Sequence, residues 1–440
     1  MKNTLILTLS LLCFMVTFSQ DAPENFTLQE AIDYALEHNR IAKNASRDID
    51  AAKKQKWETI ATGLPQIDGR ISYVNNLKQQ FPGIDFNGDN VVDFGAKQNI
   101  TPSITLNQLV FDGSYLVGLQ SAKVFLEISE NAKTKTDLQV RQNVINAYGN
   151  VLLAIESIKL LDNNILILEK NLNETTKIYE NGLGDQESVE QLQITLSSLK
   201  SNLNKTQRLK KITYQLLNLT LGLDINHPTG LTDTLETLTL QNMSLELLDT
   251  KNNVEKTIDY KIAENNKVSK ELLVKLEQSR ALPTLRGFIT GSYIGNNDQF
   301  RFLDSNQFWA GTAAFGFNLD IPVFGAGLKS ARTQRAKINL EKSIDDLTET
   351  EQQIKLQIES AKSDYQFSIE DYENKKENLN LSERIERKNQ TKFFEGIASS
   401  FELRQAQTQL YGAQQEFLQA MLNVINNKAA LETISNTINN

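Results

Sequence analysis

The chain contains 440 residues, and its 46 basic and 54 acidic side chains give a formal net charge of −8. This acidic balance argues against a nucleic-acid-binding protein, which needs a basic face. A single cysteine excludes a disulfide-stapled scaffold, and only seven prolines leave room for long uninterrupted helices.

The first 19 residues have the pattern of a secretory signal peptide. Lys2 precedes an apolar stretch over residues 5–18, which is too short to span a bilayer but suits the core of such a signal. Small residues at Thr17 and Ser19 predict cleavage after Ser19. The mature chain then lacks Cys13 and Lys2. Its net charge falls to −9, because it contains 45 basic and 54 acidic residues.

Two segments of alternating apolar and polar residues follow, at about 66–76 and 99–111. Strands of outer-membrane barrels show this period-two pattern over about ten residues, although each such segment is a weak signal. The joining segment Lys78–Asn99 is long and polar, as outer loops of such barrels are, and so is the segment Gly295–Gln307 between the two strands of the second half. A soluble four-stranded sheet packed on helices remains an alternative at this point.

A very long helix is predicted from about 113 to 180, and a return helix from about 186 to 221. At 1.5 Å per residue the first would be roughly 100 Å long. Apolar or small residues recur along both at alternating spacings of four and three, a heptad seam that is also compatible with a soluble antiparallel coiled coil. The seam consists of Val144, Ala147, Val151, Ala154, Ile158, Leu161, Ile165, Leu168 and Leu172 on the first helix, and of Val189, Leu192, Leu196, Leu199 and Leu203 on the second.

The second half of the chain repeats this order of parts. Alternating segments at about 284–294 and 308–321 precede a helical hairpin at about 327–434, although Phe288 falls on the polar register of its segment. A Leu-Pro pair stands before each strand pair, and a Val-Phe junction leads into each long helix. The sequence therefore predicts two structural repeats, residues 20–230 and 231–440.

The two helical hairpins reverse in matched segments, Tyr179–Leu183 and Phe393–Ile397, each with an aromatic residue three positions before a glycine. Such a glycine supplies the left-handed residue that ends a helix. Asp185 is the predicted N-cap of the first return helix. Ser399 and Glu402 form a capping-box pattern for the second.

In these features the chain resembles the TolC family of outer-membrane efflux and secretion ducts. The resemblance rests on the duplicated order of parts, the Leu-Pro pairs, the Val-Phe junctions and the aromatic-x-x-Gly reversals. Residues Phe26–Asn39 are also similar to the family's opening helix. Together these features cover essentially the whole mature chain.

The resemblance implies an α+β membrane protein with an internal duplication. A long antiparallel coiled-coil tunnel would be joined to four β-strands per chain, and a homotrimer would share one 12-stranded barrel in outer-membrane lipid. Residues around 223–250 and both chain ends would form a belt around the tunnel. The channel would extend into the periplasm and passively conduct substrates received from an inner-membrane pump and its periplasmic adaptor.

The resemblance also implies two sites near the hairpin tips. Adaptor docking would involve Gly182, Leu183, Gly184, Gly396, Ile397 and Ala398, and helix reversal alone is an equally simple role for them. A periplasmic gate would involve Ser188, Gln191, Phe393, Glu402 and Gln405. Because only Glu402 is acidic, we expect closure by a neutral glutamine and hydroxyl network with one ring of three Glu402 carboxylates.

No catalytic, cofactor or metal site is predicted. His38 and His227 stand outside any cluster with ligand spacing, and no phosphate-binding loop or nucleophile elbow occurs. The abundant carboxylates fall on heptad flanks, where we expect solvated faces. Two rival classes stay open, a periplasmic coiled-coil adaptor and a surface stalk or adhesin.

Overall fold

The computed structural model describes residues 23–77, 84–85, 91–92, 96–249 and 253–436. The predicted signal peptide and most of the loop between the first two strands lie outside these residues. The described chain forms two compact units. Among the described residues, the first draws on 23–45, 134–249, 253–257 and 353–436, and the second on those within 46–133 and on 258–352.

The helices and strands occur twice in a similar order. In the first half they are β1 (Asn25–Phe26), α1 (Leu28–His38), α2 (Arg40–Ala61), β2 (Gln66–Asn75), β3 (Ile84–Asp85), β4 (Val91–Val92), β5 (Gln98–Phe111), α3 (Gly113–Glu180) and α4 (Gln186–Leu221). In the second half they are β6 (Gly230–Leu231), α5 (Leu235–Gln241), α6 (Glu246–Asp249), a 3₁₀ turn (Val254–Lys256), α7 (Ile258–Ser279), β7 (Thr284–Asn297), β8 (Trp309–Asp320), α8 (Leu328–Phe394) and α9 (Ser400–Ser435). None of the helices in the described part of the chain combines the length and the apolar character needed to cross a membrane.

The second unit contains one antiparallel four-stranded sheet in the order β2-β5-β7-β8. Direct cross-strand partners share a face of a sheet, so the register separates two faces. One face carries mainly apolar residues and glycines: Ile67, Ile71, Tyr73, Ile100, Pro102, Ile104, Leu106, Leu285, Ile289, Tyr293, Trp309, Phe315, Phe317 and Leu319. The other carries mainly hydroxyls, amides and charges, including Asp68, Arg70, Ser72, Thr101, Ser103, Thr105, Arg286, Thr290, Ser292, Thr312 and Asn318.

Aromatic rings on β7 and β8 lie against glycines on the facing strand. Phe288 pairs directly with Gly316, and a Cβ placed on that glycine would come within 2.8 Å of the ring. Three further partners repeat the arrangement on the apolar face: Gly287 with Phe317, Gly295 with Trp309, and Gly311 with Tyr293. An aromatic ring compensates for a glycine in a strand by covering its exposed backbone. Phe288 therefore breaks the period-two pattern because its ring covers the backbone of Gly316 on the polar face.

The core of the first unit follows the predicted heptad seam. Val144 and Val151 of α3 are fully buried, as are Leu403 and Val424 of α9. Leu161, Ile165 and Leu168 pack against the return-helix residues Leu192 and Leu199 in a second cluster. The predicted seam positions are thus confirmed as packing positions, and α3 runs from Gly113 to Glu180 as its sequence predicts.

A buried tyrosine in each half fixes a connecting segment to a long helix. Tyr148 of α3 donates to the carbonyl of Phe26 at 3.0 Å and to a carboxylate oxygen of Asp233 at 2.9 Å. Tyr365 of α8 contacts the carbonyl of Asn242 at 2.5 Å. The tyrosine and its carbonyl partner are 122 residues apart in the first half and 123 apart in the second. The same long-range hydrogen bond therefore occurs in both halves.

Candidate functional site

The first hairpin tip is a Schellman turn. The amide of Leu183 donates to the carbonyl of Ile178 at 3.0 Å, and the amide of Gly182 donates to the carbonyl of Tyr179 at 2.8 Å. Gly182 has a φ of +75°, which an L-residue adopts only with strain. The chain then re-enters a helix at Asp185, whose carboxylate accepts from the amide of Ser188 at 2.7 Å.

The second tip repeats this geometry with its own sequence. The amide of Ile397 donates to the carbonyl of Lys392 at 2.8 Å, and Gly396 has a φ of +74°. Ser399 and Glu402 form the predicted capping box, with the Ser399 amide donating to the Glu402 carboxylate at 2.8 Å. The sequence thus correctly predicts both helix reversals and both caps. Each tip presents one large apolar side chain to solvent, Leu183 at 82% exposure and Ile397 at 70%.

The two tips lie side by side in the first unit and line one open cleft of about 480 Å³. Predicted tip and gate residues found on this cleft are Leu183, Gly184, Ser188, Gln191, Phe393, Gly396 and Ala398. Gly182, Ile397, Glu402 and Gln405 are not among its lining residues. The lining also includes Phe394 and Phe401, two aromatic side chains that the sequence analysis did not single out.

The gate candidates differ in how free their side chains are. Ser188 is buried under its cap, where its hydroxyl also donates to Asp185 at 3.0 Å. The side-chain amide of Gln191 donates to the carboxylate of Glu187 at 2.9 Å. The side chain of Gln405 is exposed. The backbone amide of Ser399, and then its hydroxyl, lower the pKa of Glu402. Glu402 is therefore the one candidate of these that carries a negative charge at neutral pH.

A polar cluster near the tips was missed by the sequence analysis. Glu386 of α8 faces Gln407 and Tyr411 of α9, and burial raises the pKa of Glu386, opposed only in part by Gln407 and Arg387. Burial, and then the negative charge of Glu386, raise the pKa of Tyr411. Buried residues on α8 recur at spacings of four and three, as at Ile354, Ile358 and Ala361. Glu386 lies four residues after the buried Ser382, so this helical period could have revealed it.

The expectation that carboxylates lie on solvated flanks is therefore wrong for some of them. Glu386 is half-buried, and the side chain of Glu432 is only 5% exposed where it accepts a hydrogen bond from Arg141 at 2.7 Å. A heptad pattern assigns positions to the packing face, but it does not exclude a charged residue that finds a partner there. Among the described residues, no group of three or more His, Cys, Asp or Glu side chains could hold a metal ion.

Buried amides connect the first hairpin to the second. Asn164 of α3 donates to Gln414 of α9 at 2.7 Å, and Gln390 of α8 donates to Asn171 of α3 at 3.0 Å. Such pairs fix the relative register of packed helices, because a shift leaves the buried groups without partners. These two amide pairs therefore fix the position of the first hairpin along the length of the second.

The apolar face of the sheet is the second candidate site, and it is open. Phe315 is 80% exposed and Ile71 is 74% exposed, and Ile67, Ile289, Phe317 and Leu319 are also exposed. Contiguous apolar surface of this kind marks a membrane or partner contact in a protein. Long helical hairpins joined to a sheet with one exposed apolar face define an α+β membrane-protein class.

Comparison with known proteins agrees with that class. Residues 270–437 match the family model described as "Outer membrane efflux protein". This match confirms the resemblance to outer-membrane efflux ducts, and it includes β7, β8 and the second helical hairpin. A search with the whole sequence finds no match among curated proteins.

Solved structures extend the likeness to nearly the whole chain. CusC, studied for folding and transmembrane channel formation, has a TM-score of 0.78 at 18% identity, with 95% of each chain covered. The outer membrane protein VceC from Vibrio cholerae has a TM-score of 0.73 at 15% identity, covering 93% of this chain and 95% of its own. The CmeC outer membrane channel from Campylobacter jejuni gives 0.76 at 17%, covering 93% and 85%. These three structures show that the chain shares its fold with outer-membrane proteins, two of which are described as channels.

Proposed function

We propose that the protein is the outer-membrane channel of a tripartite efflux pump or a type I secretion system. The observation that carries this proposal is the sheet, which has one exposed apolar face and one polar face over all four strands. In lipid, the apolar face would contact acyl chains and the polar face would line a water-filled passage.

The free edges of the sheet support a barrel shared by several copies. Strands β2 and β8 lie at the two edges, and because all pairings are antiparallel, they run in opposite directions. The β8 edge of one copy can therefore pair antiparallel with the β2 edge of the next. Open edges are not tolerated in lipid, so closure by repetition is required.

The need for a water-filled passage favours three copies. Two copies would supply eight strands, which enclose an interior that side chains fill. Three copies would supply twelve strands and are the smallest ring with room for an aqueous lumen. We therefore propose a homotrimer that is exported by a cleaved signal peptide, is held in outer-membrane lipid by its barrel, and extends its helices into the periplasm.

The hairpin tips support the periplasmic part of the proposal. Leu183 and Ile397 are exposed apolar side chains held on two rigid turns of the same geometry. Such side chains suit docking to an adaptor protein, which would receive substrates from an inner-membrane pump. In this scheme the channel is passive, and Ser188, Gln191, Phe393, Glu402 and Gln405 would regulate opening near the tips.

Charge on the apolar face tests the proposal. Replacing Phe315 and Phe317 by Asp should prevent membrane insertion, since charge on the lipid face costs about 2 to 4 kcal/mol near the midplane for the worst residues and less for Asp. Thr312→Asp with Asn318→Asp is the matched control on the polar face of the same strand, and it should insert normally. The measurement is the amount of protein in the detergent-soluble outer-membrane fraction. If the Phe315→Asp and Phe317→Asp variant reaches the same amount in that fraction as the control, the apolar face does not lie in lipid, which would favour a sheet outside the membrane, as on a stalk or adaptor.

A further inference from the structure

The segment joining β7 to β8, residues 298–308, departs from its expected character. The sequence predicts a long polar loop for the connection Gly295–Gln307, like the one between β2 and β5. In the structure the connection is partly apolar and partly buried. Phe302 is only 4% exposed, whereas Leu303 is 92% exposed and Phe300 and Phe308 are exposed beside it.

Hydrogen bonds give this segment a defined conformation. In two successive turns, the amide of Arg301 donates a hydrogen bond to the carbonyl of Gln299 at 2.8 Å, and the amide of Asp304 donates one to the carbonyl of Arg301 at 3.1 Å. The Asn297 side chain donates to Gln307 at 3.1 Å, which closes the base of the loop. The exposure of its apolar side chains is therefore a property of a folded segment.

An aromatic cluster joins the segment to the apolar face of the sheet. The ring of Tyr73 lies 5.8 Å from that of Phe300 and 6.3 Å from that of Phe302, and those two rings are 5.5 Å apart. Tyr73 belongs to β2, which β5 separates from β7 in the sheet, and it shares its face with Ile71. The segment consequently folds across the end of β5 onto the apolar face, and its aromatic cluster lies away from the polar face.

We propose that residues 298–308 are a membrane-surface anchor, in which Phe300 and Leu303 insert into the interfacial region of a lipid bilayer. This inference rests on the proposed function, because it requires the apolar face to lie in lipid. The segment continues that face at the end of the sheet opposite the helices, where the barrel would meet the outer surface. Aromatic side chains are favoured at this level, since their rings tolerate both acyl chains and head groups.

The anchor has a consequence for conduction. A loop whose aromatic side chains are held on the outer, lipid-facing side of the strands cannot also cover the polar face that would line the passage. The β7–β8 segments of the three copies would therefore not cover the outer mouth of the channel. Instead, these segments would attach the outer edge of the barrel to the membrane surface.

Fluorescence quenching tests the anchor in the complete channel. Variants Leu303→Cys, Ser305→Cys and Phe315→Cys, each made with Cys13→Ser, would carry a nitrobenzoxadiazole label in vesicles of phosphatidylethanolamine and phosphatidylglycerol. Quenchers are iodide on both sides of the membrane, a lipid with a nitroxide near its head group, and a lipid with a nitroxide deep in its acyl chain. We expect the Leu303 label to be quenched at least two-fold more by the shallow lipid than by iodide, and the Ser305 label to show the reverse.

The controls separate the anchor from the channel itself. Quenching of the Phe315 label by lipid, combined with an iodide-quenched Leu303 label, would overturn the anchor and leave the proposed channel intact. A Leu303 label quenched by neither probe would mean that a second copy covers it, which also overturns the anchor. Absence of lipid quenching at Phe315 would overturn the proposed function and the anchor together.

Discussion

At the scale of single residues, Glu402 combines a structural and a proposed electrostatic role. Its carboxylate closes the capping box with Ser399, and glutamine at this position preserves such a box. Glu402→Gln should therefore keep the fold while removing one charge per chain from the proposed gate. We predict a weaker cation preference, measured as a reversal potential closer to zero across a salt gradient in planar bilayers.

The pH dependence follows from the same contacts. Because the Ser399 amide lowers the pKa of Glu402, the wild-type preference should persist through the ordinary range of glutamate titration and disappear only at lower pH. Gln405→Glu, which adds an acidic residue to the proposed gate, should shift the reversal potential in the opposite direction. A reversal potential that is unchanged in Glu402→Gln would remove Glu402 from the gate.

Glu386 allows a second residue-scale prediction. Burial raises its pKa, so the folded chain holds a proton more tightly than the unfolded chain does. The free energy of unfolding should then rise as pH falls from the raised pKa towards the ordinary value of about 4.3. Glu386→Gln removes the buried charge, and we expect a higher thermal midpoint at neutral pH and no gain in acid.

Circular dichroism at 222 nm during heating measures this effect in detergent. The matched control is Glu377→Gln, on an exposed position of the same helix, which should leave the midpoint unchanged at both pH values. An equal gain for Glu386→Gln at neutral and acidic pH would show that the half-buried carboxylate is not ionised against a penalty.

At the scale of elements, the tips depend on two left-handed glycines. A Cβ on Gly182 would meet nothing within 4 Å, so Gly182→Ala should cost only the backbone strain of about 1 to 2 kcal/mol. The Schellman bonds of that turn should open more often, and hydrogen exchange at the Leu183 amide should become about ten-fold faster or more. Gly412→Ala is the opposite control, because this glycine lies inside α9 with free space around it, and alanine there should stabilise the helix by about 0.5 to 1 kcal/mol. Unchanged exchange at Leu183 would mean that the turn tolerates alanine.

Elements were predictable where one local rule decides them. The heptad seam of α3, the paired glycine turns and the caps at Asp185 and Ser399 each depend on residues close in sequence, and the structure contains them. Phe288 could not be explained from its own strand, because the reason for its position is Gly316 on the facing strand. Phe302 was likewise assigned to a polar loop, since its partner Tyr73 lies more than 200 residues away.

Buried polar contacts were the least predictable part. Tyr148 and Tyr365 occupy packing positions that a pattern treats as ordinary core, and only the fold brings their hydroxyls to carbonyls 122 and 123 residues away. Glu386 and Glu432 were assigned to solvent because charge is a good guide to exposure on average. Their partners on other helices could not be identified from spacing alone.

At the scale of the whole molecule, the proposed channel requires that several copies of the chain share one barrel. A single chain offers four strands with two open edges and an uncovered apolar face, which is incomplete as a soluble protein and as a membrane protein. Three copies would remove both deficiencies at once.

Imaging of particles extracted in detergent from the outer-membrane fraction would show whether several copies share one barrel. We expect three-fold particles in which one closed barrel of twelve strands continues into a helical stalk roughly 100 Å long. A monomer that stays soluble without detergent, or an unbranched filament, would contradict it.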